Sequence, residues 1–314
     1  MSELNDIRYQ LPEVERAMVL APHPDDETLG CGGIMASHSG RISFTVVALS
    51  DGEAVNIPEE NKADLRKREL EDAMGVLGVK DTVSLGIPDG KFLQHKDEMR
   101  EKLSELLELR KPQIVFSPSP VDLHQYHRET ALACIELLEK LPFIRIAFYE
   151  IYNPVRFNTL IDIGKDIGKK KEALGRYHHS LLAKEDIFIA SITSLNRFRS
   201  LFALRDSYYE AFWITDAVTG ISGIMNRLTY SVSPPPPEGR LLSAIRVSDS
   251  LVHEYKKVER ALADKVESIH KLSLELRDKE ETIVSLRENL RIIETSLSWR
   301  LAQGFRKMKT RLLP

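Results

Sequence analysis

Short apolar runs alternate with amphipathic helical patterns through the first half of the chain, and this alternation limits the fold more than any other feature. Five runs are predicted to form strands; the run at 42–49 is continuous and β-branched, as parallel strands tend to be. The five runs occupy residues 17–22, 42–49, 81–86, 113–119 and 143–152. Helical patterns lie between them, at 61–79, 95–111 and 127–141. The alternation predicts an α/β fold in which helices cover both faces of a parallel sheet.

The pattern is less regular after residue 153, where we predict helices near 165–182 and 194–212. Four consecutive prolines then occur in SVSPPPPEGR (231–240). Such a run favours extended polyproline II and acts as a semi-rigid spacer. We therefore assign residues 1–230 to one α/β domain and 231–240 to a linker.

A heptad pattern follows the linker. No glycine or proline occurs from Leu241 to Gln303, and apolar residues recur there at alternating steps of three and four. Eleven of the thirteen seam positions are apolar, and the other two are Lys265 and Lys279. This pattern predicts a C-terminal coiled-coil helix over 241–303 through which the chain self-associates. The alternative is a long helix that packs on its own domain.

The chain ends in a basic segment, 298–314, that has five basic residues and no acid. Its apolar residues Leu301, Phe305 and Met308 share one helical face, so 304–314 reads as a basic amphipathic tail. Such a tail can lie on an anionic membrane surface. The alternatives are a helix end whose cations favour the helix dipole, or a continuation of the coil.

Charge and cysteine content exclude several classes of protein. Lysine plus arginine number 44 against 47 acids, and a net charge of −3 argues against a basic nucleic-acid-binding protein. Two cysteines are too few for a disulfide framework. The polar N-terminus is unlike a signal peptide, and no stretch reaches the ~18 apolar residues that cross a bilayer. We expect a cytoplasmic protein, with the tail as its candidate contact to the inner membrane face.

The stretch VLAPHPDDETLGCGG (19–33) places a histidine and three acids at the end of the first predicted strand. Ligands of parallel α/β sheets bind at the carboxyl ends of the strands. Where the strand turns into a helix, residues three apart can converge, so His23 and Asp26 can reach one point. An imidazole and a carboxylate at one point suit zinc. The alternative is that an acid such as Asp25 only caps the helix.

VDLHQYHRET (121–130) follows the fourth predicted strand and offers a third ligand. His124 and His127 are three apart and share a face if a helix begins near Asp122. Two histidines and one carboxylate leave a coordination position open, as in catalytic zinc sites. Each motif alone is explained as well by capping or surface chemistry. The presence of two such motifs, each after a strand of the same predicted sheet, predicts a metal site.

APHPDDETLGCGG resembles the signature of the LmbE/PIG-L family of zinc-dependent N-acetylglucosaminyl deacetylases. Further resemblances follow in chain order over about residues 15–215. They are SDGEA (50–54), the R-x-x-E-L helix pattern from Arg66, IPDG (87–90), the pair His124 and His127, KKEALGRYHHS (170–180) and YYEAF (208–212). The resemblance implies a Rossmann-like fold.

The resemblance also implies a zinc ion held by His23, Asp26 and His127, with Asp25 as the general base. Zinc lowers the pKa of bound water and polarises a carbonyl, and a carboxylate that is not a ligand can take the proton of the water. His124, if protonated, would stabilise the oxyanion. Gly30 and its neighbours would let the helix lie close to the sheet.

Three residues carry weaker implications of the resemblance. Arg66 and Asp89 are candidates to contact sugar hydroxyls, with salt bridging as the alternative, and His179 fits a position near the substrate mouth, with a plain surface position as the alternative. The family pattern has an acid between the paired histidines, where this chain has Tyr126. The role and charge of His124 therefore stay open, with Asp122 as a substitute acid.

These observations predict a metal-dependent hydrolase that removes acetyl from a nucleotide-, lipid- or glycan-linked N-acetylated amino sugar. SLSWRLAQGFRKMK (296–309) resembles tails of some bacterial enzymes of surface-polysaccharide assembly, so we expect a role in polysaccharide or glycoconjugate biosynthesis. One alternative is a hydrolase of another small amide conjugate. Another is a coiled-coil scaffold with a decayed enzyme domain. Tyr126 favours this alternative, and the intact residues His23, Asp25, Asp26 and His127 oppose it.

Overall fold

The computed structural model describes residues 7–54, 61–216, 220–229, 265, 268 and 271–309. The chain divides into two units, Met1–Ser233 and Pro234–Pro314. A seven-stranded sheet with strand order β3-β2-β1-β4-β5-β7-β6 forms the centre of the first unit. Its strands are β1 (Arg16–Ala21), β2 (Ser43–Ser50), β3 (Asp81–Ile87), β4 (Ile114–Pro118), β5 (Arg145–Tyr149), β6 (Thr159–Asp162) and β7 (Tyr209–Asp216).

Helices follow most of the strands. In the first unit they are α1 (Asp26–His38), α2 (Lys62–Leu77), α3 (Lys96–Arg110), α4 (Gln125–Leu138), α5 (Ile167–Leu174), α6 (Glu185–Phe198), α7 (Ser200–Ala203) and α8 (Gly220–Thr229). A 3₁₀ helix, Asp89–His95, precedes α3. In the second unit, α9 spans 271–295 and α10 spans Leu297–Lys309.

The predicted parallel sheet is confirmed for β1 to β5. Strand β1 pairs in parallel with β2 on one side and β4 on the other. Alternate β1 residues enter two separate cores: Val19 packs with α1 and α2, whereas Leu20 packs with α3 and α4. Both faces are therefore covered. Because the chain leaves β1 toward β2 and leaves β4 toward β5, the carboxyl ends of β1 and β4 form the switch point where ligands of such sheets bind.

The helix predicted at 194–212 is wrong in its second half. Helix α6 ends at Phe198, and Tyr209–Asp216 forms strand β7, which pairs antiparallel with β5 and β6. The aromatic and β-branched run YEAFWITD favours a strand, and its first six residues are buried. The helix predicted at 165–182 is also shorter, because α5 ends at Leu174.

Glycines allow α1 to approach the sheet and its neighbours closely, as the sequence predicted. A Cβ atom on Gly30 would lie 2.2 Å from Cδ2 of Tyr149 on β5, and one on Gly33 would lie 2.6 Å from Ile163. The Tyr149 hydroxyl donates to the backbone oxygen of Leu20 at 2.7 Å. Helix α1 and the end of β1 are thus fixed against the same aromatic ring.

A buried ion pair holds α1 on its other side. Glu210 of β7 accepts the backbone N–H groups of Gly33 (2.7 Å) and Ile34 (2.8 Å), both in α1. Lys170 of α5 donates to Glu210 at 2.6 Å and to the backbone oxygen of Leu29 at 2.8 Å. Both charged side chains are at most 1% exposed. The pair therefore links α1, α5 and the antiparallel part of the sheet.

The second unit is described through α9 and α10. Large apolar side chains along α9 are about half exposed, with Leu276 at 62% and Ile283 at 48%. The proline linker (231–240), most of the first half of the predicted coiled coil and residues 310–314 of the predicted tail lie outside the described residues. Within the described residues, no helix is both long and apolar enough to cross a membrane.

Truncation before Leu241 is expected to lower the mass per particle of the purified protein. The heptad pattern leaves an apolar seam in water, and pairing two or more chains would bury it at ~25 cal/mol per Å² of apolar surface. Paired charge substitutions at Leu276 and Ile283 should have the same effect. Light scattering measures the mass. If the full-length and truncated chains have the same number of copies per particle, the helix packs on its own domain.

Candidate active site

The connection from β1 to α1 is short and carries backbone strain. Asp25 has a φ angle of 148°, in the region that disfavours non-glycine residues. Its backbone oxygen accepts the N–H groups of Thr28 and Leu29, both at 3.0 Å, and so begins the helix. A residue held in such a conformation costs about 1–3 kcal/mol, and such residues cluster at functional sites. The helix therefore starts immediately with Asp26.

One carboxylate oxygen of Asp26 lies between two imidazoles. Oδ2 accepts the backbone N–H of His23 at 2.9 Å, and it is 3.3 Å from Nδ1 of His23 and 3.2 Å from Nε2 of His127. His23 lies two residues after the end of β1, and His127 lies in the first turn of α4, after β4. The structure thus brings together the three residues that the sequence analysis assigned to a metal.

His127 supports a metal as the partner of this cluster. The side chain is fully buried, and neither ring nitrogen makes a hydrogen bond within the described residues. Nδ1 lies 3.2 Å from Oδ1 of Asp122, within ion-pair distance but outside hydrogen-bond geometry. A buried imidazole whose ring nitrogens make no hydrogen bond is costly. A divalent cation at Nε2, with Asp122 orienting Nδ1, satisfies both nitrogens in the way common for zinc-ligating histidines.

His124 is a neighbour of the same cluster. Ligand atoms of His23, His124 and His127 all lie within 4.8 Å of one another, so three imidazoles are an alternative donor set. However, the Nδ1 atom of His124 accepts the backbone N–H of Tyr126 at 3.3 Å and caps α4. The helix begins one residue after His124, not near Asp122. Asp122 instead accepts the backbone N–H of His124 at 2.8 Å and faces His127.

The electrostatics of the cluster favour a positive charge. Burial disfavours the His23 imidazolium, but hydrogen bonds with the Asp26 and Asp89 carboxylates outweigh it and raise the pKa of His23 to about 10. Burial likewise opposes protonation of His127, and Asp26 with Asp122 raises its pKa to about 9. The pKa of His124 is lowered by burial and by the two neighbouring histidines. At His23 and His127 the effect of the carboxylates on the pKa therefore outweighs the effect of burial. At His124, at the edge of the cluster, it does not, and the ring is neutral.

Asp25, which precedes Asp26, is held by contacts with Arg66 and Glu27. Nη2 of Arg66 donates to Oδ2 of Asp25 at 3.3 Å and to the backbone oxygen of Pro24 at 2.9 Å. Glu27, fully buried, accepts the Asp25 backbone N–H at 3.1 Å and the Tyr177 hydroxyl. Burial raises the pKa of Asp25 to about 8, although Arg66 opposes the shift. Asp25 is therefore a positioned carboxyl group whose protonation is balanced near neutral pH.

Arg66 and His179 belong to one network in which Glu69 of α2 is the acceptor. The Glu69 carboxylate accepts the backbone N–H of His179 (2.6 Å) and both the N–H (3.0 Å) and hydroxyl (2.6 Å) of Ser180. Arg66 Nε donates to the Ser180 hydroxyl at 3.0 Å. Arg66 is 4% exposed. The contact of Arg66 with the Asp25 carboxylate is the salt bridge considered from the sequence, and its contact with substrate stays a prediction.

Asp89 and Tyr126 form the wall beside His23. Oδ1 of Asp89 is 3.4 Å from Nε2 of His23. The Tyr126 hydroxyl donates to the backbone oxygen of Asp89 at 2.6 Å, and its ring stacks between Phe92 and His23 at centroid distances of 4.4 and 5.5 Å. Tyr126 therefore supports the His23 ring by packing. The acid that faces a paired histidine is Asp122, toward His127.

A cleft of about 500 Å³ opens onto this cluster, a size that suits a small ligand. Its lining includes His23, Arg66, Asp89, His124, Tyr126, Ser180 and Leu182. Sequence reasoning missed Tyr152, whose ring stacks on His127 at 5.4 Å and is 48% exposed. The fifth strand was predicted to run to residue 152, but β5 ends at Tyr149, which releases Tyr152 into the loop at the carboxyl edge.

Comparison with known proteins gives one family and several relatives. Residues 18–138 match the PIG-L family, described as GlcNAc-PI de-N-acetylase. A probable N-acetyl-alpha-D-glucosaminyl L-malate deacetylase 2 from Bacillus anthracis is 29% identical over 199 residues, which cover 57% of this chain and 84% of that protein. The region that matches the family includes His23, Asp26 and His127.

Solved structures share the fold at lower identity. The N,N'-diacetylchitobiose deacetylase from Pyrococcus horikoshii is 23% identical with a TM-score of 0.57, covering 66% of this chain and 86% of that one. GalB, the 4-carboxy-2-hydroxymuconate hydratase from Pseudomonas putida KT2440, is 20% identical with a TM-score of 0.56, covering 64% and 96%. These similarities establish the fold, and enzymes with different reactions share it.

Purified protein is expected to contain about one zinc per chain, lost in His23→Ala, Asp26→Ala and His127→Ala. Removing one of three protein ligands weakens a zinc site severely, whereas Asp25→Ala should retain the metal because Asp25 faces Arg66. His95→Ala is the control, since His95 pairs with Glu98 away from the cluster. Metal analysis after reconstitution measures the content.

Two results would contradict this ligand set. If wild-type protein contains no zinc after reconstitution, these residues do not form a zinc site. Zinc retained in Asp26→Ala but lost in His124→Ala would show that the three histidines hold it instead.

Proposed function

Because residues 18–138 form a domain of the PIG-L (LmbE) family, we propose that this chain is a zinc-dependent hydrolase that removes the acetyl group from an N-acetylated amino sugar. Deacetylase activity is supported by the description of the family and by the name of the Bacillus anthracis relative. The observation that carries the proposal is the convergence of His23, Asp26 and His127 at the carboxyl edge.

The residues fit the two demands of amide hydrolysis. His23, Asp26 and His127 would hold a zinc ion, which would polarise the amide carbonyl and lower the pKa of a water molecule. Asp25 accepts the proton of the attacking water and passes it to the leaving amine as the carbon–nitrogen bond breaks. Acetate and the free amine are the products. A carboxyl group whose pKa lies near neutrality is suited to both proton transfers.

His124 would act as a neutral hydrogen-bond donor. Because Nδ1 accepts the Tyr126 N–H, the proton of the neutral ring is on Nε2. The lowered pKa of His124 favours this neutral form over the imidazolium considered from the sequence. A donor in the cleft stabilises the negative oxygen of the tetrahedral intermediate. Asp89, beside His23 and facing the same cleft, is the candidate to orient a sugar hydroxyl.

The proposal extends to the setting of the reaction. The C-terminal segment resembles tails of surface-polysaccharide enzymes, so the amino sugar would be carried on a nucleotide, lipid or glycan. A basic amphipathic tail would bring the chain to an anionic membrane surface. Release of acetate from a panel of N-acetylated sugars in these three forms tests the substrate class. Release from unrelated acylated amines, with none from sugars, would favour the alternative amide hydrolase.

Asp25→Asn should fold and bind zinc but lose turnover by ~10²- to 10⁴-fold, the usual contribution of a general base. Asparagine has nearly the same size and shape as aspartate, so this substitution introduces no new steric demand at the β1–α1 turn. Asp72→Asn on the exposed side of α2 is the matched control and should leave turnover unchanged. Acetate release measures turnover, and near-normal activity of Asp25→Asn would remove Asp25 from the mechanism.

Tyr152→Ala should raise KM by roughly three- to tenfold, as expected for the loss of one stacking contact. The ring covers His127 and is half exposed, so it can pack against a bound sugar ring. Tyr152→Phe should retain the wild-type KM. Tyr9→Ala removes an equally exposed ring (49%) beside β6 and serves as the control. An equal defect in Tyr152→Phe would assign the effect to the hydroxyl and contradict stacking.

A further inference from the structure

Helix α9 carries an apolar seam that the described residues leave open to water. Five large apolar side chains at heptad spacing are 48–62% exposed. They are Leu276, Ile283, Leu286, Leu290 and Ile293. Lys279 occupies the one polar seam position between them. An apolar stripe of this length on a single helix is typical of a coiled-coil surface that another helix covers.

We propose that the α9 helix of a second copy of this chain covers the seam, and that the two helices run antiparallel. In this arrangement Ile283 faces Leu286 of the second copy, and Leu276 faces its Ile293. The overlap is centred on the middle of 276–293, all of which the structure describes as helix. The proposal adds a direction and a register to the self-association predicted from the heptads.

The seam lysine favours the antiparallel direction. In a parallel pair in register, each seam residue meets its own counterpart, so Lys279 would meet Lys279 of the second copy inside the seam. Two ammonium groups in one buried layer repel each other and lose hydration. In the antiparallel pair, Lys279 lies opposite Leu290 of the second copy. Its apolar stem can then cover the leucine while the ammonium group reaches water.

The charges that flank the seam favour the same direction. In a parallel pair, Glu275 lies beside Glu280 of the second copy on both sides, and no flanking pair has opposite charges. In the antiparallel pair, Glu280 lies beside Arg287 of the second copy on both sides. Two repulsive contacts are thus replaced by two attractive ones, which is the kind of difference that selects coiled-coil orientation.

The same charges select one antiparallel register. A shift of one heptad in one direction brings Glu280 beside Glu280 of the second copy. A shift in the other direction brings Arg287 beside Arg287 of the second copy. Only the register centred within 276–293 pairs glutamate with arginine. Neighbouring registers therefore keep the apolar contacts but lose the charge match.

Charge reversal in the full-length chain distinguishes the two directions by the sign of the effect. Glu280→Lys should weaken self-association by roughly five- to twentyfold, because two attractive contacts become repulsive. In a parallel pair the same change would relieve the contact with Glu275 and strengthen association. The double variant Glu280→Lys/Arg287→Glu should restore wild-type association. Glu281→Lys is the control, since Glu281 faces Arg277 of its own helix, and sedimentation equilibrium measures each constant.

Cross-linking tests the register. Chains with Leu276→Cys mixed with chains with Ile293→Cys should form a disulfide, whereas neither variant alone should, because its two cysteines would lie about 25 Å apart. The native Cys31 and Cys134 are buried and do not compete. A disulfide formed by Leu276→Cys alone would show a parallel pair. A monomeric full-length chain, or association unchanged or strengthened by Glu280→Lys, would equally overturn the proposal.

Discussion

The structure depends on how closely α1 packs beneath the carboxyl edge of the sheet. Glycine at Gly30 lets the helix touch the ring of Tyr149, and the Glu210 carboxylate holds the middle of the same helix through two backbone N–H groups. With the helix fixed in this way, the chain has only a few residues in which to turn from β1 into α1. The strained backbone of Asp25 is the result, and it places Asp26 at the start of the helix, next to His127. The geometry of the site therefore follows from a packing constraint on one helix.

Each buried acid near this turn has a different partner, and the kind of partner indicates the role of the acid. Arg66 faces Asp25, Lys170 faces Glu210, and the Tyr177 and Thr28 hydroxyls satisfy Glu27. Asp26 differs because its partners are two imidazoles, one of which makes no hydrogen bond within the described residues. A neutral imidazole is a metal ligand, whereas guanidinium and ammonium groups are not. The other acids are therefore each held by a cationic side chain or by hydroxyl donors. The centre at Asp26 is able to accept a cation.

Local patterns predicted the parallel half of the fold and the residues that meet at its edge, because β1 with α1 and β4 with α4 are each encoded within one contiguous segment. They did not predict β7, since the partners of Tyr209–Asp216 are β5 and β6, which lie far from it in the sequence. The residues that support the site were not predicted, for the same reason. Glu69 holds the loop at Ser180, and Tyr152 covers His127, through contacts between segments far apart in the sequence. Spacing within a motif identifies groups that converge, but the side chains that orient them depend on tertiary packing.

The replacement of an acid by Tyr126 shows how such packing can preserve a site. The Tyr126 ring is held between Phe92 and His23, and its hydroxyl is bound to the backbone oxygen of Asp89. It therefore stiffens the wall that carries His23 and the loop that carries Asp89. Burial and the neighbouring His127 and His23 lower the pKa of His124 by more than Asp26 and Asp122 raise it, so the ring stays neutral. A neutral His124 with its proton on Nε2 still donates a hydrogen bond, so the substitution changes how the oxyanion would be stabilised without removing the donor.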